Sequence, residues 1–137
     1  HHFDLAKDGK RTREVALKPL ASGAAPLVVR IELDARRHLL VENRQKTGID
    51  AVLPAAGVVV LEVDTAREEG TAIVRAANAN PDVPTLYGAP YVASAGAHRV
   101  YRNLRAGVAV APLSSDADRT VRVIITTPER IGDFVRD

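Results

Sequence analysis

Residues 57–65, GVVVLEVDT, end an apolar run on an acid and a hydroxyl. Aspartic proteases rely on two carboxylates that share one proton, and a homodimer of short chains can bring one acid from each copy. Their acid sits in Asp-Thr-Gly at the end of an apolar strand, whereas here Ala66 stands in the glycine's place and Arg67 follows. Glycine permits a tight loop and close backbone approach that a Cβ resists. Asp64 therefore reads first as the polar end of a buried strand, and second as the acid of a dimeric aspartic-type protease.

Zinc hydrolysis asks for two imidazoles one helical turn apart with a carboxylate base, as in H-E-x-x-H. Beyond the first two residues the histidines are His38 and His98, each alone in its segment. A metal site would need them to meet across strands, and a lone strand histidine is more simply a surface or hydrogen-bonded residue. Ser114 and Ser115 lack the glycines of the nucleophile elbow, and no glycine-rich phosphate loop occurs. Asp116 and Asp118 alternate faintly as calcium ligands do, but without the distal glutamate a hairpin turn is the simpler reading, and calcium binding there stays open. Glu42 and Asp50 could pair as acids across the insert between two strands; ion pairing with Arg44 or Lys46 is the plainer use of those charges. No catalytic, cofactor-binding or metal residue is assigned within this chain.

The elements that must position these groups are strands. Period-two alternation puts Val15 and Leu17 on one face, Val29, Ile31 and Leu33 opposite Arg30 and Glu32, and Leu39 and Val41 opposite Leu40 and Glu42. Residues 57–63 are apolar on nearly both faces, which predicts a central strand covered on two sides. HRVY, GVAVA and TVRVIITT continue the pattern. About seven short strands make an all-β domain, an antiparallel β-sandwich or partly open barrel. DARR at 34–37 and SSDADR at 114–119 read as turns whose Asp and Ser bond their own backbone. The longest irregular stretch, 78–97, holds three prolines that forbid regular pairing. Two helices are possible: one over 66–79, and a short one over 127–137, where Thr127 caps, Pro128 starts the turn, and Ile131, Phe134 and Val135 share a face packed on the sheet or on a missing neighbour.

A length of 137 residues suits one core. His1-His2 has the look of a purification-tag remnant, so residues 3–137 read as a single β-rich domain. Net charge is +2, too small to argue for nucleic acid, and three Tyr, two Phe and no Trp leave few stacking platforms for bases. Without cysteine, disulfides and thiol chemistry are excluded. No apolar run approaches the ~18 residues of a membrane span.

The string HLLVENRQKTGIDAVLPAAGVVVLEVD at 38–64 resembles a segment of the immune inhibitor A family of secreted zinc metallopeptidases, found just after their catalytic region. The residues that carry the resemblance are Glu42, Asn43, Arg44, Gln45, Gly48, Asp50, Leu53, Pro54, Gly57, Val63 and Asp64, and the strand pair upstream is similar too. The family's zinc motif has no counterpart here, so none of its catalytic residues carries over. The resemblance implies a β-rich accessory domain beside a peptidase domain of the same polypeptide, an extracellular location, and zinc in that neighbour only. In the motif Glu42 and Arg44 alternate out of the core and can pair, Gly48 supplies a turn, and Leu53-Pro54 pins a loop over the sheet before the Gly57 strand.

Three functions stand at this point. The first is a non-catalytic accessory domain of a secreted metallopeptidase-like protein. The second is an independent protein- or carbohydrate-binding module that uses Tyr87, Tyr91 and Tyr101 as contacts. The third is the dimeric aspartic-type protease built on Asp64.

Overall fold

The computed structural model describes residues 2–4, 12–19, 28–45, 57–65, 73–77, 91 and 99–135. Nine strands run through them: β1 (His2–Asp4), β2 (Arg13–Leu17), β3 (Val28–Glu32), β4 (Arg37–Arg44), β5 (Gly57–Asp64), β6 (Ile73–Ala76), β7 (Tyr101–Asn103), β8 (Val108–Ser115) and β9 (Val121–Thr126). One sheet has the order β1-β3-β4-β5-β6, the other β2-β9-β8-β7. Every pairing is antiparallel except that of β1 with β3. The chain is an all-β sandwich.

Alternation decides which side chains meet between the sheets. From the first sheet come Val29 and Ile31, Leu39 and Val41, Val58 and Val60. The second sheet answers with Val15 and Leu17, Val108 and Val110, and Val121, Val123 and Ile125, and Tyr91 and Tyr101 complete this buried cluster. Branched aliphatics fit such a pleated, enclosed surface, and each one fully buried contributes about 1.5–3 kcal/mol.

Strand β8 uses its two faces differently. Its valines enter the core, while Ala109 and Ala111 join Ile124 on the far side of the second sheet, beneath Ile131 and Val135 of the C-terminal segment. Small side chains let that segment lie close. Between Pro112 and Ser114 the register of β8 against β9 shifts. Proline has no N–H to give a ladder, and a bulge is where sheets tolerate it.

The seven expected strands are all present, and two more join them. Strand β6 falls inside the stretch expected to be helical: Ile73 and Val74 are β-branched, and pairing with β5 outweighs the helix formers around them. Residues 66–72 and 78–79 of that expectation lie outside the described residues. The C-terminal segment does pack on the sheet, but its helix is a single 3-10 turn, Ile131–Asp133, preceded by Arg130 with no side-chain cap. Gly132, a poor helix former, sits in its middle. Ile131 and Val135 are buried, whereas Phe134 turns outward at 38% exposure. Strand β5 is central by its hydrogen bonding, between β4 and β6, and on its outer side Val63 is buried while Val59 and Leu61 are half-buried.

Leu39→Ala, in the sealed core, should lower unfolding free energy by about 2–5 kcal/mol. Val74→Thr, on a strand position 57% exposed, should stay within about 0.5 kcal/mol. Equilibrium urea unfolding of the two variants checks both values.

Candidate functional site

Strand β4 carries the polar motif to both faces in turn. Glu42 and Arg44 share the outer face, where Arg44 Nε donates to Glu42 Oε2 at 3.0 Å, the pairing expected from their spacing. Asn43 follows Leu39 and Val41 on the inner face and has no exposed surface. Its Nδ2 donates to the carbonyls of Leu17 and Arg119, both at 2.8 Å, and its Oδ1 accepts from Gln45 Nε2 at 2.8 Å. Leu17 ends β2 and Arg119 belongs to the β8–β9 turn, so one amide fastens the first sheet to the second at two points. Pro19, just past β2, also forms a parallel bridge with Asn43. Gly57 enters β5 opposite Arg44 with φ 144°, a conformation that favours glycine. Gly48, Asp50, Leu53 and Pro54 lie outside the described residues.

The opposite end of the sandwich is ionic. Glu62 points inward from β5, where its Oε2 accepts the Tyr101 hydroxyl at 2.9 Å and its Oε1 accepts Arg75 at 3.0 Å. Asn103 Nδ2 donates to the Tyr101 oxygen at 3.2 Å, and the Tyr91 ring stands edge-on to Tyr101, 6.1 Å between centroids. Burial, with the Glu62 charge beside it, raises the Tyr91 phenol to about 12. Burial likewise pushes Tyr101 up; Asn103 opposes this and Glu62 adds to it. Both rings thus stay protonated near neutrality and serve neither as base nor as nucleophile.

Beside this network the β3–β4 turn closes on Asp34. Its carboxylate accepts the backbone N–H groups of Arg36 (2.9 Å) and Arg37 (2.8 Å) and the Arg37 side chain (2.9 Å), so its pKa falls to about 2, the Arg37 side-chain bond being the largest cause. Asp64 faces Arg37 across the β4–β5 pair. Thr65 donates both its N–H and its hydroxyl to the Arg36 carbonyl, each at 2.8 Å. Leu33, Arg37, His38, Leu39, Glu62, Val63, Asp64, Arg75 and Asn103 line a cleft of about 290 Å³.

What this arrangement can do is hold the sandwich together. Each acid along the cleft faces an arginine, and Asp64 ends a strand tied into a neighbouring turn. His38 is buried on the outer face of β4, and His98 lies outside the described residues. Among the described residues no three or more His, Cys, Asp or Glu gather where a metal could bind. Ser114 and Ser115 are exposed at the end of β8. The β8–β9 hairpin is the self-bonding turn expected: Asp118 accepts the Thr120 N–H at 3.1 Å and Lys18 Nζ at 3.3 Å, contacts that draw its pKa down, the Thr120 backbone bond most. Tyr91 and Tyr101, expected as ligand contacts, are each 5% exposed. Their rings fill the core instead, and Tyr87 lies outside the described residues. The Asn43 joint and the Glu62–Tyr101 link are not visible in any local motif; the available signal is a polar residue at an inward position of an alternating strand.

Asn43→Ala removes the donor shared by two carbonyls and should cost about 1–3 kcal/mol in urea unfolding, more than Gln45→Ala. For Asp34 the folded pKa lies below the ordinary 3.8. Its stabilising contacts are therefore complete above that value and lost as pH falls toward about 2. An NMR carboxyl titration should place the Asp34 midpoint near 2, and Arg37→Gln should move it back toward 3.8. No protein-family model, curated protein or solved structure matches the chain.

Proposed function

We propose that this β-sandwich is a non-catalytic accessory domain that seats a neighbouring domain of the same polypeptide on the outer face of its first sheet, the neighbour being a secreted zinc peptidase. The observation that carries this reading is the composition of that face. Residues on the outer side of a solvated antiparallel sheet are normally polar. Here Leu40 pairs with Leu61, His38 with Val63 and Glu42 with Val59, and Val63 continues to Val74 on β6. Leu40, Val59 and Leu61 are half-buried, Val63, His38 and Glu42 are buried and Val74 is exposed, an apolar strip rimmed by the Arg30–Glu32 and Arg44–Glu42 pairs. Apolar strips with polar rims are where proteins meet partners. The motif residues at 42–45 bond within the domain, which supports an architectural use of them.

Two measurements test the reading. The coding sequence upstream should contain H-E-x-x-H; a reading frame without it removes the peptidase as neighbour. In the full polypeptide, Leu61→Lys should lower secreted peptidase activity at least about tenfold, as loss of an interface anchor would, while leaving the isolated domain folded. Unchanged activity would show that the strip seats nothing.

A further inference from the structure

The end of the sandwich that carries the β3–β4 turn also carries the β7–β8 turn, since Leu33, Arg37 and Asn103 line one cleft. Among the described residues Arg30, Arg37, Arg44, Arg75 and Arg122 each have an acidic partner. Arg36 in one of these turns, and Arg102 and Arg105 at the other, are exposed and make no ion pair among the described residues. Asp34 and Asp64 lie at the same end, but Arg37 faces both. Beyond β9, Glu129 and Arg130 are adjacent and offset each other. Among the described residues named here, the balance at this pole is positive.

Between Arg102 and Arg105 stands Leu104, 78% exposed, the most exposed large apolar side chain described. Its turn is built to hold it there. Asn103 Oδ1 accepts the Ala106 N–H at 3.0 Å, the Asn103 carbonyl accepts the Gly107 N–H at 2.9 Å, and Gly107 takes φ 73°, which suits glycine. An apolar side chain exposed on a hydrogen-bonded hairpin turn, with cations on either side, matches the layering of a membrane interface, where acyl chains lie below anionic headgroups.

We propose that the β7–β8 tip docks the domain reversibly on an anionic lipid surface, Leu104 entering the acyl boundary and Arg102, Arg105 and Arg36 meeting headgroup phosphates. A soluble polyanion is the poorer fit, because it offers Leu104 nothing. One leucine and three arginines make a weak anchor, suited to concentrating the protein at a surface rather than fixing it there.

Vesicle co-sedimentation of the chain with phosphatidylcholine, alone and mixed with phosphatidylserine, tests this. Binding should require phosphatidylserine and fall as salt rises. Leu104→Ala should weaken it about tenfold and Arg105→Gln about fivefold. Both positions are exposed, so unfolding midpoints should not move. The chain has no tryptophan, so Leu104→Trp supplies a sole reporter whose emission should shift to the blue on phosphatidylserine vesicles. Absence of lipid-dependent sedimentation overturns the proposal. So does an unshifted Trp emission, or a Leu104→Ala variant that binds vesicles and heparin as the parent does, which is the behaviour of a polyanion site.

Discussion

The amide of Asn43 is the contact on which the rest of the sandwich depends. Apolar burial between two sheets supplies most of the driving force but has no direction, so two valine-rich surfaces could slide or rotate over one another at small cost. A buried amide that must find two carbonyls on the opposite sheet removes that freedom, because any displacement leaves polar groups unsatisfied inside. One carbonyl is at the end of β2 and the other in the β8–β9 turn. The second is presented by Arg119, which adopts a left-handed backbone, φ 66°, unusual for a residue with a Cβ. The hairpin's shape and the alignment of the sheets are thus set at the same place.

The other end is joined by different chemistry. Glu62, on the inward side of β5, has both its oxygens satisfied, one by a tyrosine hydroxyl and one by a guanidinium. A neutral, sealed joint at one end and an ionic, half-open one at the other make the sandwich polar along its strands. Its two outer faces differ as well: the C-terminal segment packs on Ala109, Ala111 and Ile124 of the second sheet, while the first carries the half-buried Leu40, Val59 and Leu61. Both asymmetries bear on the proposals above, the strip as the proposed seat of a neighbour and the open end as the place of Arg36, Arg102 and Arg105.

Much of the fold was legible because period-two alternation is a local signal. Val29 and Ile31, Leu39 and Val41, and Val121, Val123 and Ile125 are inward as their spacing requires. Strand β6 was hidden by alanines and acids that favour helix, a preference overridden by pairing with β5. The terminal helix was overdrawn because a good start at Thr127-Pro128 says nothing about Gly132. At the site, the Glu42–Arg44 pair could be read from two residues of separation. Asn43's partners are 26 and 76 residues away, and Tyr101 is 39 from Glu62. Such contacts exist only once the sheets stack, so no short motif could announce them.

Strand β6 is short, closes the first sheet on one side, and carries Arg75, exposed but paired across the strands with Glu62. A foreign strand adding there would gain few backbone bonds and would have to accommodate a guanidinium already committed elsewhere. That guards the molecule against growing into fibres through its own margin, a protection that matters most where many copies crowd together.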